Sequence, residues 1–188
     1  MNDTFLSNPD MNKVDEVVTT TENNVTQFNS ITDNLVTAYT KDIDDLMLRV
    51  NADVVEVEAS DNVLEKYILE LSNALYFVGT KLEGMGIRDD LSKLAAKEVF
   101  NNAYLDAPLD EKGKKPTVAE ITAMAEGESR YETIMNNIYS RAYRQIKYKV
   151  DAAYEMLASL RKILSKRMQD AALNNSTNHG SMVFGNEE

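Results

Sequence analysis

The sequence has no cysteine and no tryptophan, and it has a single histidine, His179, among 188 residues. Without cysteine there is no disulfide framework, no cysteine-ligated metal centre and no cysteine nucleophile. One histidine in a polar C-terminal segment also excludes a multi-histidine metal site and a Ser-His-Asp triad. Most familiar enzyme chemistries are therefore removed, and we expect no cofactor and no metal site.

Turn-forming residues are scarce as well, with seven glycines and three prolines. Short strands joined by tight turns need more of both residues, so this scarcity favours long helices. No uninterrupted apolar run reaches the roughly 18 residues of a membrane-spanning helix, and residues 1–10 lack the pattern of a secretory signal. We expect an all-α protein of long amphipathic helices, arranged as a helical hairpin or bundle and located in the cytoplasm.

The net charge of −11 is unevenly distributed along the chain. Residues 1–100 carry eight basic and 19 acidic side chains, whereas the remaining residues carry 12 of each. Between Arg130 and Arg167, nine basic residues stand against three acidic ones. A basic segment on an acidic chain suits an anionic partner, but two halves of opposite charge can also attract each other. The residues alone leave both interpretations open.

Composition divides the chain into three segments. Residues 1–58 form an acidic N-terminal arm, expected to be helical or partly disordered because Thr19–Asn24 is a poor helix former. Residues 59–173 form a helical core that ends in a long helix, and residues 174–188 form a polar tail expected to be disordered. Within the arm, Val55 and Val57 alternate with acidic residues, which fits a short strand or, more safely, an extended linker.

Apolar residues at helical spacing define the elements of the core. They predict a helix that begins at Ser60 or Asp61 and ends near Glu83. The triplet Gly84-Met85-Gly86 is expected to break this helix, and a further helix follows to about Leu105. Residues 106–116 (DAPLDEKGKKP) contain two prolines, a glycine and many charges, so they predict an exposed loop.

The last helix carries the strongest pattern in the sequence. Thr117 and Glu120 fit a capping box, and no proline occurs from there to Leu173. This predicts one helix of roughly 50 residues, which Gly127 could bend. Apolar residues repeat along it at alternating steps of four and three, as in a coiled coil. A second apolar line beside this seam favours a bundle or a multi-subunit ring. The seam consists of Tyr139, Tyr143, Ile146, Val150, Ala153, Leu157, Leu160 and Leu164.

A basic, tyrosine-bearing stretch lies on the same helix. Arg141, Arg144 and Tyr148 are spaced so that they lie away from the seam, and Lys147 and Lys149 flank them. Cationic groups can neutralise phosphates, and an exposed tyrosine can stack on an unpaired base, so the pattern predicts contact with single-stranded nucleic acid. The alternative is that these residues are ordinary solvated helix flanks that pair with the acidic half.

Part of the chain resembles a known family. A helix end (Ala103–Ala107), a charged loop, a capped long helix and Tyr154–Arg167 (YEMLASLRKILSKR) follow in an order similar to the UvsY family of phage recombination mediators. The resemblance covers about residues 60–173. It implies a non-enzymatic, ring-like homo-oligomer that binds single-stranded DNA. Such a protein helps to load a RecA-like recombinase onto strands coated by a single-stranded-DNA-binding protein. By the same resemblance, subunits would contact one another through Val150, Leu157, Leu160, Ile163 and Leu164.

Two other functions are also compatible with the residues. The chain could be a helical structural or interaction protein, such as a phage assembly component, whose heptads bind a partner helix. It could also be an acidic inhibitor that imitates nucleic acid, as the 19 acidic residues up to Phe100 suggest.

Overall fold

All regular secondary structure in the described part of the chain is helical. The computed structural model describes residues 11–56, 59–109 and 113–182, and these residues contain four α-helices and no strand. The helices are α1 (Met11–Val50), α2 (Asp61–Leu105), α3 (Val118–Glu128) and α4 (Arg130–Met182), with a π-helical turn at Asn51–Glu56. The expected all-α fold of long helices packed on helices is confirmed.

The chain divides into two compact units. Unit 1 consists of Met1–Val36 and Leu91–Ala142, and unit 2 consists of Thr37–Asp90 and Tyr143–Glu188. Helices α1, α2 and α4 each contribute to both units. The division into 1–58, 59–173 and 174–188 stays a prediction, but unit 2 takes residues from both sides of residue 58.

The core of unit 2 is built from three helices. Five residues of the predicted α4 seam are buried in a single chain: Ile146, Val150, Ala153, Leu157 and Leu160. Helices α1 and α2 contribute Ile43, Leu46, Val50, Leu64, Tyr67, Leu71, Leu75, Val78 and Met85, all buried as well. Since burying one such large apolar side chain contributes about 1.5–3 kcal/mol, the heptad pattern stabilises the fold of the subunit itself.

Polar contacts in unit 2 fix the direction of α2 against α4. Near the start of α2, Asp61 Oδ1 lies 3.2 Å from Arg167 Nη1, and further along Arg161 Nη2 donates to Ser72 Oγ at 3.4 Å. Because residue numbers rise along α2 while they fall along α4, the two helices are antiparallel.

The segment that joins α1 to α2 is held by one side chain from α4 and one from α2. Arg167 Nη1 donates to the Ala59 carbonyl oxygen at 2.5 Å, and the Tyr67 hydroxyl donates to Asp53 Oδ2. A π-helical turn occupies Asn51–Glu56, where a strand or linker was expected, whereas Ala59 has no regular structure and residues 57–58 lie outside the described part. These contacts bring the C-terminal part of α4 next to the connection.

Unit 1 contains α3 and its cap. Thr117 Oγ1 accepts from the Glu120 amide at 3.3 Å, and Glu120 Oε2 accepts from the Thr117 amide at 2.7 Å. The predicted capping box is therefore confirmed. Its described buried residues lie on α1, α3 and α4 and at Ser129 between the last two, whereas its α2 segment contributes none; they are Thr32, Val36, Ala125, Ser129, Ile138 and Ala142.

The predicted helix break at Gly84-Met85-Gly86 is wrong, because α2 runs without interruption from Asp61 to Leu105. Each helical glycine costs only about 1 kcal/mol, and the buried side chain of Met85 offsets that cost. A Cβ at Gly86 would lie 3.4 Å from the Tyr143 ring, an ordinary van der Waals contact, so Gly86 faces α4 without being required by its packing.

The single long helix expected from Thr117 to Leu173 is also wrong in detail, because it is interrupted at Ser129 and not at Gly127. Ser129 Oγ donates to the Ala125 carbonyl at 2.8 Å, a contact that competes with the helical ladder and bends helices. At its other end, α4 continues past Leu173 to Met182, while residues 183–188 lie outside the described part.

Candidate nucleic-acid interface

Three of the five predicted nucleic-acid contacts lie together on α4. Arg144, Lys147 and Tyr148 are exposed, and they share one side of the helix because their spacings are three and four residues. The Tyr148 ring is 75% exposed, which leaves a flat aromatic surface facing solvent. A cation beside an exposed ring is the combination that binds an unpaired base and its phosphate.

Arg141 is engaged elsewhere in unit 1. Its Nη1 donates to Asn29 Oδ1 at 3.1 Å, and its guanidinium carbon lies 5.6 Å from the centre of the Phe28 ring. A cation over an aromatic face gains about 0.5–1 kcal/mol at an exposed site. Arg141 therefore has a structural role against α1, although its exposed guanidinium can still attract an anion.

Lys149 is paired with the acidic half of the chain. Its ammonium nitrogen lies 2.5 Å from Asp44 Oδ2 and 3.3 Å from Thr40 Oγ1, both on α1. The lysine and aspartate side chains are both partly exposed. Because the aspartate neutralises this charge locally, the alternative interpretation of charge pairing holds at Lys149.

Acidic residues interrupt the exposed face beyond Tyr148. Asp151 and Glu155 are exposed and follow Arg144 at i+7 and i+11, which places them on the same side of α4. Lys162 and Lys166, also exposed, continue that side towards the C-terminus. The cationic surface thus consists of two patches on one helix face, separated by two carboxylates.

The five residues predicted to contact other subunits fall into two groups. Val150, Leu157 and Leu160 are buried in the core of unit 2, so in one chain they have almost no exposed surface. Leu164 is half-buried and Ile163 is 37% exposed. Their role in a homo-oligomer stays a prediction, and Ile163 is the residue among them best placed for it.

Sequence patterns do not reveal one further cleft, which lies between α2 and α4 in unit 2. It measures about 460 Å³ and is lined by Ser72, Leu75, Tyr76, Tyr154, Leu157, Ala158 and Arg161. Two tyrosines and an arginine meet there from helices distant in sequence. The seven-residue steps from Lys147 to Tyr154 to Arg161 place these residues on one line of α4, but they do not show which residues of α2 face that line.

Two other clefts differ in their charge. In unit 2, a cleft of about 490 Å³ between α1 and α2 includes Asp42, Asp45 and Glu70 with Arg49 and Lys81. In unit 1, a cleft of about 520 Å³ includes Lys97, Arg130 and Glu126. Only the cleft with Tyr76 and Tyr154, of these three, combines exposed tyrosines with a cation and no carboxylate.

Within the residues that the structure describes, no group of three or more His, Asp or Glu side chains is arranged to hold a metal ion. The same residues include no helix that is both long enough and apolar enough to cross a membrane. No protein-family model, no curated protein and no solved structure matches the chain.

Proposed function

We propose that this protein is a non-enzymatic mediator of DNA recombination that binds single-stranded DNA in the cytoplasm. In this role it helps a RecA-like recombinase to load onto strands coated by a single-stranded-DNA-binding protein, and it acts as a homo-oligomer. The exposed group of Lys147, Tyr148 and Arg144 on α4 carries the proposal, because it offers cations and an aromatic ring on one accessible surface. The resemblance of residues 60–173 to the recombination mediators supplies the recombinase partner.

The experiment is anisotropy of a labelled single-stranded oligonucleotide with a double variant, Arg144→Ala with Lys147→Ala. We expect weaker binding and a flatter salt dependence, because each lost phosphate contact reduces the slope of log K against log salt by about 0.7 for single strands. Arg88→Ala with Lys93→Ala is the matched control, since it removes the same charges from exposed positions on α2. Equal effects of both variants would assign the binding to net charge alone.

A second function is favoured by a specific observation. Lys149 pairs with Asp44 and Arg167 pairs with Asp61, so part of the basic segment holds this chain together. A helical interaction protein, such as an assembly component, would use its charges in this way. Absence of single-strand binding at low salt, together with recovery of a protein partner through unit 2, would favour that function over the mediator.

A further inference from the structure

We propose that the cleft between α2 and α4 in unit 2 holds an unpaired nucleobase of a single-stranded nucleic acid. Tyr76 and Tyr154 supply the stacking surfaces, and Arg161 binds the neighbouring phosphate. The inference rests on the proposed function for the identity of the ligand, but it assigns the base-binding step to residues outside the Arg144–Tyr148 face.

The exposure of the two tyrosines is the first observation. Tyr76 is 73% exposed and Tyr154 is 52% exposed, although both line the same cleft. The rings of Tyr76 and Phe77 form a T-shaped pair with centres 5.5 Å apart. A tyrosine ring that stays largely in solvent can stack on a base, and every base has a face on which to stack.

The charge of the cleft is the second observation. Arg161 is its charged residue, and its guanidinium is held at the rim by the 3.4 Å contact with Ser72 Oγ. A guanidinium has five N–H donors in a planar fork, more than this one contact uses, and the fork matches a phosphate. The cleft between α1 and α2 contains three carboxylates and would repel the same group.

The third observation is a line of three residues on α4 that a single strand could follow. Lys147, Tyr154 and Arg161 lie on one line of α4 at seven-residue steps, so cations lie on either side of the ring. The line spans about 21 Å at 1.5 Å per residue, enough for a short run of nucleotides. A duplex keeps its bases stacked inside, so a cleft of this kind selects the unpaired form.

The test compares Tyr76→Leu and Tyr154→Leu with Tyr131→Leu in the full chain. Tyr131 is 69% exposed in unit 1, outside the cleft, and serves as the matched control. We expect each cleft variant to weaken binding of an oligothymidylate by about tenfold and the control to leave it unchanged. Tyr154→Phe should retain wild-type affinity, because it keeps the ring. Circular dichroism of each variant checks that helicity is preserved.

A second readout separates stacking from electrostatics. The chain has no tryptophan, so Tyr154→Trp introduces a single reporter into the cleft. Oligothymidylate should quench its fluorescence, whereas an abasic strand of the same length, which has the same phosphates, should not. Tyr131→Trp is the control reporter and should respond to neither strand.

Three results would overturn the inference, and they are distinguishable. If the wild-type protein binds no single strand at low salt, the proposed function and this site both fall. If the wild type binds and both leucine variants bind equally well, only this site falls. If the leucine variants instead change the mass of the protein in light scattering and leave strand affinity intact, the cleft is a protein–protein contact.

Discussion

Lys149 Nζ lies 2.5 Å from Asp44 Oδ2, so a residue of the basic segment is neutralised by the acidic N-terminal half. Two and five residues earlier on α4, Lys147 and Arg144 are exposed to solvent and belong to the same basic segment. Charge pairing between the two halves therefore holds at Lys149. Contact with an anionic partner stays a prediction for the exposed Lys147 and Tyr148.

Replacing Lys149 by Ala should affect stability and leave DNA binding unchanged. The pair with Asp44 is more than a third exposed on both sides, so solvent screening limits its contribution to about 0.5–1 kcal/mol. We expect urea unfolding to show a loss of that size in the free energy of unfolding, and we expect the affinity for a single strand to be unaltered. Lys147→Ala is the matched variant and should show the reverse. A loss of affinity at Lys149 as large as that at Lys147 would contradict this assignment.

Tyr67→Phe should destabilise the connection between α1 and α2 in a pH-dependent manner. The hydrogen bond from the Tyr67 hydroxyl to Asp53, together with burial, raises the pKa of Tyr67 above its usual value. The folded state thus favours the neutral phenol. Its stabilisation is complete below the unfolded pKa of about 10 and is lost as pH rises through the higher folded value.

The measurement is urea unfolding of wild type and Tyr67→Phe between pH 7 and pH 11. The gap in free energy of unfolding should be constant at about 1 kcal/mol up to roughly pH 10 and should shrink above it. Because both proteins contain the same lysines and the same other tyrosines, the titration of those groups cancels in the difference. A gap that widens with alkaline pH would have the wrong sign for this bond.

Gly84→Ala should stabilise the protein. Gly84 lies inside α2, and a Cβ there would meet no atom within 4 Å, so alanine gains about 0.5–1 kcal/mol from helix propensity alone. Gly113→Ala is the contrasting variant, because its φ of 72° disfavours any side chain. The midpoint temperature of thermal unfolding should rise for Gly84→Ala and fall for Gly113→Ala. A destabilising Gly84→Ala would indicate that the helix does break there.

Leu160→Ala should be far more costly than Ile163→Ala. Leu160 is almost completely buried in unit 2, and removing such a side chain costs about 2–5 kcal/mol through lost burial and a cavity. Ile163 is partly exposed and should cost less than about 1 kcal/mol. Chemical unfolding measures both. If Leu160→Ala changes the mass of the assembly in light scattering but not the stability of the subunit, the seam belongs to an oligomer.

The helical content could be predicted because composition and periodicity act locally. Few glycines and prolines, the Thr117–Glu120 box and the heptads of α4 all specify helix without reference to the rest of the chain. The break at Gly84-Met85-Gly86 was mispredicted because the burial of Met85 outweighs the low helix propensity of two glycines. That balance depends on a neighbouring helix, which sequence spacing does not show.

The residues of the candidate site also fall into those that local sequence predicts and those that only the tertiary fold brings together. Exposure of Arg144 and Tyr148 follows from their position opposite the seam, so the sequence was sufficient for these two. Pairing of Lys149 with Asp44 and stacking of Arg141 on Phe28 join residues more than 100 positions apart and require the tertiary fold. Tyr76 and Tyr154 meet for the same reason, and no local pattern marks Tyr76 as part of a cleft.

Binding of single-stranded DNA is tested most directly with the wild-type protein. Its affinity for a labelled single strand is measured at low and moderate salt, with duplex DNA of equal length as the control. We expect preferential binding of the single strand, with log K falling linearly against log salt by about 0.7 for each phosphate contacted. No binding at low salt, or equal binding of single strand and duplex, would contradict it.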